Sequence, residues 1–334
     1  MTPLLQADRV TKLFGGGLLA GGRMVALDDF SFSIGTDSPS ITAIVGESGS
    51  GKTTLARVLL GLTTPTSGTV RYRGQDIAHL SRTAKRQYRT DIQAIFQDPY
   101  GVFNPFYRVD HVLTTPVRKF RLASSPAEGR ALIEQALRTV GLRPEEILGR
   151  YPHQLSGGQR QRTMVARALL LKPKIIIADE PVSMVDASLR ATILGSLRRL
   201  TDEFGISILY ITHDLATAWQ VSDNIIVMYR AAAVEAGQAE AVVKAPSHPY
   251  TRLLVGSIPR VSLTRDWLGT APDAQRPEDQ DAACRFADRC ISAMSVCRTV
   301  KPPLSRLNQH HAAACHLYGE NPSLSAEQLN EVLA

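Results

Sequence analysis

The sequence predicts an α/β fold with a parallel sheet at its centre, and three segments carry this prediction. Each begins with an apolar, β-branched run typical of a buried strand, at residues 40–45, 175–178 and 206–209. The first run leads through a glycine-rich turn into residues 54–60, whose composition is that of a helix. The other two runs lead into acidic or polar side chains that can act chemically.

The glycine-rich turn has the spacing of a phosphate-binding loop. Residues 46–53 read GESGSGKT, which fits G-x-x-x-x-G-K-[ST] between a strand and a helix. A surface loop could match by chance, but the flanking elements argue against that. The glycines let backbone N–H groups face negative charge, Lys52 can reach the β- and γ-phosphates, and the Thr53 hydroxyl can ligate Mg²⁺. The nucleotide-binding residues predicted in this P-loop are Gly46, Ser48, Gly49, Gly51, Lys52, Thr53 and Thr54.

The second and third strands are followed by candidate catalytic side chains. Asp179 can hold Mg²⁺ through water, and Glu180 can polarise an attacking water. Taken alone, this pattern fits a buried strand entering an acidic turn equally well. His213 follows the third strand, where an isolated histidine is more often structural or solvated.

A pentapeptide between these motifs narrows the interpretation. Residues 155–159 read LSGGQ, which resembles the signature of the ATP-binding-cassette (ABC) ATPases, enzymes that close head to tail around two ATP molecules. The resemblance implies a P-loop NTPase fold with a parallel-sheet core, an antiparallel β-subdomain and a helical subdomain. It implies that Asp179 binds Mg²⁺, Glu180 orients the water and His213 contacts the γ-phosphate. Gln97 resembles the glutamine that contacts Mg²⁺ or the water, in the loop that joins the core to the helical subdomain.

The signature implies a site that a second subunit completes. Ser156 occupies a helix N-cap position, and the next two glycines leave the backbone open. Such a helix start offers N–H groups and a positive dipole end to an anion, which in the resemblance is the γ-phosphate on the partner's P-loop. The signature residues are Ser156, Gly157, Gly158 and Gln159. Residues 183–186 read SMVD where the family usually has SALD, so we expect slight repacking at the dimer seam.

Phe14 is a candidate for contact with the adenine base. The family often has a stacking tyrosine at this place, and a phenylalanine ring can also stack on a base. We favour that role, although the ring could instead belong to a strand of a small N-terminal sheet. Residues 15–22 are expected to form a flexible insertion before an alternating strand resumes at residues 25–32.

The tail indicates the branch of the family. Residues 248–251 read HPYT and resemble a segment of oligopeptide and dipeptide importer ATPases; chemically they are only a proline-broken turn entering a helix. The resemblance implies an ATPase domain at 1–255, with its helical subdomain at about 98–170, and a C-terminal domain at 256–334. It implies ATP hydrolysis that powers import of di- or oligopeptides. Import of nickel or oligosaccharide, or work in a soluble non-transport complex, are the alternatives.

The chain has four cysteines, and all lie in the tail: Cys284, Cys290, Cys297 and Cys315. Such clustering favours joint ligation, and clustered cysteines in a reducing cytosol more often bind metal than form disulfides. Their spacing lacks the C-x₂-C pattern of structural zinc, whereas four thiolates can hold a [4Fe–4S] cluster. The pattern resembles the cluster-binding tail of dipeptide-importer ATPases, which favours [4Fe–4S]. Zinc, with help from His310, His311 or His316, and free thiols remain open.

Composition and charge limit the partners. The net charge is +7 and the pI about 9.4, but the basic residues are scattered, so we expect no nucleic-acid partner. No apolar run approaches the ~20 residues that span a bilayer, and residues 1–8 lack a signal-peptide core. We therefore expect a peripheral subunit at the cytoplasmic face of the inner membrane. The implied cofactors are ATP and Mg²⁺; the implied partners are two transmembrane permeases, a second and preferably different ABC ATPase, and an extracytoplasmic solute-binding protein.

Overall fold

The computed structural model describes residues 3–15, 23–97, 99–183, 185–258 and 283–333, and these form two compact units. The first unit consists of the described residues within 1–34, 42–76 and 212–334. The second consists of the described residues within 35–41 and 77–211. The expected insertion at 16–22 and Met184 of the expected D-loop lie outside the described residues.

The elements alternate along the chain as the α/β prediction requires. The strands are β1 (Leu5–Phe14), β2 (Met24–Ile34), β3 (Ile41–Val45), β4 (Ser67–Tyr72), β5 (Gln75–Asp76), β6 (Ile92–Ile95), β7 (Ile175–Asp179), β8 (Ser207–Thr212), β9 (Asn224–Tyr229), β10 (Ala232–Gln238), β11 (Leu304–Asn308), β12 (His311–Ala314) and β13 (Ser323–Leu324). The helices are α1 (Lys52–Leu59), α2 (Arg82–Asp91), α3 (Pro99–Val102), α4 (Asp110–Phe120), α5 (Pro126–Thr139), α6 (Pro144–Ile147), α7 (Gly157–Leu169), α8 (Ala187–Phe204), α9 (Leu215–Val221), α10 (Ala239–Lys244) and α11 (Pro249–Gly256).

The first unit contains two sets of paired strands. One is an antiparallel sheet in the order β2-β1-β4-β5. In the other, the neighbours run β13-β11-β12-β10-β9-β3, and β3 pairs parallel with β9 from Thr42↔Asn224 to Val45↔Val227. All five residues of β3 and all six of β9 are buried, and all but Thr42 and Asn224 are hydrophobic, as suits strands covered on both faces. This buried strand pair supports the glycine-rich turn that follows β3.

The second unit places parallel strands in the order β8-β7-β6 among helices. Every residue of β7 and β8 is buried. The helix α5 begins where Ser125 caps the backbone N–H of Glu128 and Pro126 takes the first turn, a combination suited to helix starts. The helix α8 ends at Gly205 in the left-handed conformation, a common helix stop.

The described part of the tail is joined to the first unit. Its described residues belong to the same compact unit as the P-loop. The reason is strand pairing: β12 pairs antiparallel with β10, from Glu235↔Ala313 to Gly237↔His311. A side-chain Cβ at Gly237 would lie 2.3 Å from the backbone O of His310, so this close approach requires glycine. The predicted domain boundary at residue 255 stays a prediction.

Within the part of the chain that the structure describes, no helix has both the length and the apolar character needed to cross a membrane.

Candidate functional site

The P-loop lies between β3 and α1 and depends on glycine at two points. Gly51 caps α1 with φ +103°, and a Cβ there would lie 2.3 Å from the backbone O of Ala26. A Cβ at Gly46 would lie 2.1 Å from the backbone O of Met228 in β9. Since real Cβ atoms do not approach backbone this closely, the loop can be built only with glycine at these positions. The result is a tight backbone turn against the helix start, the geometry of a phosphate cradle.

Lys52 turns its ammonium into this loop. Its Nζ donates to the backbone O of Gly46 at 2.7 Å and to that of Glu47 at 2.9 Å, and the side chain is buried. The Ser50 hydroxyl lies 3.4 Å from the same Nζ. Thr53 follows in the first turn of α1 and is exposed, so its hydroxyl is available to a ligand of the loop. The arrangement suits a phosphate chain with an associated divalent cation.

His213 and Phe14 also belong to the first unit. His213 is exposed directly after β8, and Asp214 caps α9 by accepting from the backbone N–H groups of Ala216 and Thr217. Phe14 ends β1 with 40% of its surface exposed, and the Lys12 ammonium lies 5.1 Å from the centre of its ring. An exposed ring beside a cation can accept a base, and the stacking role of Phe14 stays a prediction.

The second unit contains the acidic pair. Asp179 ends β7 and is buried, whereas Glu180 is half-buried. The backbone of Glu180 has φ +48°, a conformation that L-residues avoid, and its N–H donates to the backbone O of Ile211 at 2.8 Å. Its carbonyl accepts from the Ser183 hydroxyl at 3.0 Å. Both contacts hold the backbone of Glu180 in this conformation. Gln97 lies half-buried just after β6 in the same unit.

The signature segment forms the capped helix start that its sequence predicts. The Ser156 hydroxyl accepts from the Gln159 N–H at 3.2 Å, and the Gln159 side-chain oxygen accepts from the Ser156 N–H at 2.9 Å. This reciprocal capping box fixes the first turn of α7. A Cβ at Gly158 would lie 2.8 Å from a Leu189 methyl group in α8, so glycine also allows close packing there. An N-terminal helix end of this kind presents positive dipole character.

Three of the four tail cysteines are buried, Cys290 is half-buried, and all four thiols are free. Burial raises the pKa of Cys284, Cys290 and Cys315, and neighbouring cysteines raise each of these pKa values further. Among the described residues, no group of three or more histidine, cysteine, aspartate or glutamate side chains is arranged to hold a metal ion. The cluster and the zinc site therefore both stay predictions.

Two of the three histidines considered as zinc ligands make other side-chain contacts, whereas His310 Nδ1 is buried and has no hydrogen-bond partner among the described residues. His311 Nε2 lies 2.6 Å from the fully buried carboxylate of Glu235, and His316 Nε2 lies 2.9 Å from the backbone O of Val300. Glu235 also accepts from the backbone N–H groups of Ser247 and His248, each at 2.8 Å. This carboxylate thus joins β10, the tail strand β12 and the segment that begins the HPYT motif.

Sequence reasoning missed three residues around the P-loop: Glu47, Tyr250 and Arg289. The Tyr250 hydroxyl accepts from the Glu47 N–H at 2.9 Å, and Arg289 forms an ion pair with the Glu47 carboxylate. The sequence offered a partial signal, since Tyr250 lies in the HPYT segment and Arg289 precedes a tail cysteine. Neither pattern indicates a contact with a loop more than two hundred residues away.

Two protein families match parts of the chain. The family described as "ABC transporter" matches residues 27–183. The family described as "Oligopeptide/dipeptide transporter, C-terminal region" matches residues 234–297, which include the HPYT segment and three of the cysteines.

Curated proteins are similar over nearly the whole length. The "Di/tripeptide transport ATP-binding protein DppF" of Pseudomonas aeruginosa is 39% identical, over 95% of this chain and 98% of that protein. The "Dipeptide transport ATP-binding protein DppF" of Haemophilus influenzae is 37% identical, over 94% of this chain and 96% of that protein.

Solved structures share the fold. The dimeric post-hydrolysis state of the ATP-binding cassette MJ0796, bound to ADP and Pi, is 28% identical with a TM-score of 0.61, and the match covers 70% of this chain and 98% of that one. The structure of cbiO1 from Clostridium perfringens, described as part of the ABC transporter complex cbiONQ, is 26% identical with a TM-score of 0.62 and covers 73% of this chain and 92% of that one.

Proposed function

The chain belongs to the ATP-binding proteins of the ABC transporter family, and from this premise we propose that it hydrolyses ATP to power the import of di- and oligopeptides. The observation that carries the proposal is the P-loop, in which glycine-dependent backbone surrounds the buried ammonium of Lys52. The peptide cargo is supported by the names of the relatives and by the matching C-terminal region.

The P-loop residues would bind the triphosphate. The Lys52 ammonium, which the Gly46 and Glu47 carbonyls hold at the loop, would also donate to phosphate oxygens, which are strong acceptors because they are charged. Thr53, exposed in the first turn of α1, would ligate Mg²⁺ with Asp179 and Gln97. Bound Mg²⁺ would neutralise charge on the transferring phosphoryl group. Phe14 would contribute its exposed ring to the base.

Glu180 would orient and polarise the attacking water, and His213 would contact the γ-phosphate. Support for Glu180 comes from its strained backbone, held on both sides by hydrogen bonds to Ile211 and Ser183. A conformation that costs free energy and is fixed by its neighbours is typical of residues whose side-chain direction matters for function.

The signature residues 156–159 would act on ATP held by a second subunit. Support comes from the capping box, which fixes the N-terminal end of α7 and so gives an anion a defined set of N–H groups. The similar MJ0796 cassette is described as dimeric and bound to ADP and Pi. We favour a partner that is a related but different ATPase, together with two permease subunits, an extracytoplasmic binding protein and a peripheral position at the inner membrane.

The four tail cysteines would hold a [4Fe–4S] cluster. Support comes from the raised pKa values of Cys284, Cys290 and Cys315: burial is the main cause, and other cysteines contribute to each, as expected of a common ligand set. A cluster is larger than a single ion, so its four ligands lie further apart than those of one ion. When bound, the cluster would cross-link the tail and favour the thiolate forms of its ligands.

Spectroscopy on anaerobically purified protein tests the cluster. We expect broad visible absorbance with stoichiometric iron and sulfide, and Cys290→Ser should abolish both, whereas Ser295→Ala, at an exposed position two residues before Cys297, should leave them unchanged. Colourless protein with stoichiometric zinc would establish the alternative ligand, and metal-free protein would dismiss both.

Glu180→Gln tests the enzymatic proposal. The amide cannot accept a proton from water, so turnover should fall on the order of 10²–10⁴-fold while ATP binding stays close to wild type. Phosphate release and ATP affinity are measured on the complex purified from cells. The matched control is Glu203→Gln, an exposed carboxylate paired with Arg199 on α8, which should keep wild-type turnover. Full activity of Glu180→Gln would refute the assignment.

Co-purification tests the role in transport. Detergent-solubilised membranes should yield the chain bound to hydrophobic permease subunits and to the second ATPase. Recovery with soluble proteins alone would favour a non-transport complex instead.

A further inference from the structure

The tail residue Arg289 makes a two-point ion pair with the P-loop residue Glu47. Arg289 Nη1 lies 3.0 Å from Glu47 Oε2, and Nη2 lies 3.1 Å from Oε1. The arginine side chain is 14% exposed, and its guanidinium lies 5.7 Å from the ring centre of Phe286 and 5.8 Å from that of Tyr229. Packing against two rings limits the rotation of a planar guanidinium, so the pair has a defined direction.

The backbone of Glu47 connects this ion pair to the phosphate-binding lysine. Its N–H donates to the Tyr250 hydroxyl at 2.9 Å, and its carbonyl accepts from Lys52 Nζ at 2.9 Å. Tyr250 is fully buried, with its ring centre 4.5 Å from that of Tyr229. Glu47 therefore makes contacts through its side chain, its N–H and its carbonyl. Arg289 and Tyr250, which make the first two of these contacts, both follow β10 in the sequence.

A second tail arginine, Arg285, contacts the β9–β10 turn, and this turn itself contacts the C-terminal part of the P-loop. Arg285 Nη2 donates to Asp28 Oδ2 at 2.7 Å, and Nη1 donates to the backbone O of Arg230. Arg230 and Ala231 both have positive φ, 42° and 72°, so this turn is one that needs support. The Ala231 N–H then donates to the backbone O of Ser50 in the P-loop at 3.0 Å.

We propose that Arg285 and Arg289 are positioning residues that hold the P-loop in its ATP-binding conformation, so that the tail sets the affinity for ATP. The inference deepens the proposed ATPase function and rests on it. Neither arginine need touch nucleotide. Their effect follows from preorganisation: a glycine-rich loop loses conformational freedom when phosphate binds, and contacts that order it beforehand reduce that loss.

The test is nucleotide affinity and steady-state kinetics of variants in the full chain. Arg289→Gln should raise the Kd for Mg-ATP and the KM for ATP about three- to tenfold, a range appropriate to a partly exposed bidentate pair, and leave kcat within about twofold. Arg289→Lys keeps the positive charge but cannot form the two-point pair of a guanidinium. Its Kd for Mg-ATP should therefore lie between those of the wild type and Arg289→Gln. Combining Arg289→Gln with Glu47→Gln should weaken ATP binding no more than either change alone, because both remove one interaction.

Arg298→Gln is the matched control, since Arg298 lies in the same tail and pairs with Asp288 at 3.1 Å. It should bind ATP as the wild type does. If Arg289 served folding alone, its loss would lower the fraction of active protein, and hence the apparent kcat, without moving KM. The inference would be overturned if Arg289→Gln had the KM of the wild type, or if the effects of the two changes added in the double variant. In that case the ATPase activity of the wild-type protein would still support the proposed function. Failure of the wild-type protein to bind Mg-ATP would overturn both.

Discussion

The buried His248 makes the stability of the fold sensitive to acid. Its imidazole is 1% exposed, and its Nδ1 accepts from the Tyr250 N–H at 3.1 Å to cap α11. Burial lowers the pKa of His248 from 6.5 to about 4, with a further lowering by Arg252 and a partial offset by Glu235. Protonation of Nδ1 would also replace the acceptor of the cap with a donor.

The sign and size of the effect follow from the two pKa values. Between pH 6.5 and 4 the unfolded chain takes up a proton that the folded chain does not, so the free energy of unfolding decreases as the pH falls. The loss is about 2 kcal/mol at pH ~5 and approaches ~3 kcal/mol below the folded-state pKa. Above the unfolded pKa both states are neutral at this residue and its contribution disappears.

Urea denaturation followed by circular dichroism measures this effect. His248→Asn keeps a side-chain oxygen that can cap α11 but removes the titration. The decrease in unfolding free energy between about pH 7.5 and pH 5 should be ~2 kcal/mol smaller in this variant than in the wild type. His79→Asn, at an exposed position, should retain the wild-type decrease. An equal pH dependence in His248→Asn and wild type would refute the reasoning.

Other changes test the loop, the signature and the tail. Gly51→Ala should weaken ATP binding about tenfold or more, because its Cβ would lie 2.3 Å from the Ala26 carbonyl at a positive φ, whereas Gly195→Ala, with nothing within 4 Å, should bind normally in the same titration. Gly157→Glu should impair hydrolysis at the partner's P-loop in mixed dimers and spare the ATP affinity of its own chain; equal loss of that affinity would make the segment merely structural. Glu235→Gln should cost about 2 kcal/mol in urea denaturation, because an amide N–H₂ would face a buried backbone N–H.

The local elements were predictable from the sequence because their causes are local. The buried strand before the P-loop was expected at residues 40–45 and spans 41–45. The capping box of α7 follows from the Ser-x-x-Gln spacing alone. Hydrophobic period, glycine position and capping residues all act within a few positions along the chain.

Contacts of the tail were not predictable in this way. Glu47 and Arg289 are separated by 242 positions, and only tertiary packing decides that they meet. The pairing of β12 with β10 likewise requires that one edge of β10 is free to pair. The residue pattern of β12 does not reveal which strand has such an edge. The sequence therefore predicted only a C-terminal domain, whereas the structure shows its contacts with the P-loop.

The pairing of β12 with β10 has a consequence for shortened proteins. A chain ending at residue 258 would leave the N–H and C=O groups of β10 without the partners that residues 311–313 supply. Unpaired strand edges recruit strands from other molecules, and the apolar Ala236 lies on this one. Glu235 would meanwhile lose His311 and remain as a carboxylate in an opened crevice. Truncation before the tail should thus yield aggregation-prone protein instead of a minimal soluble ATPase.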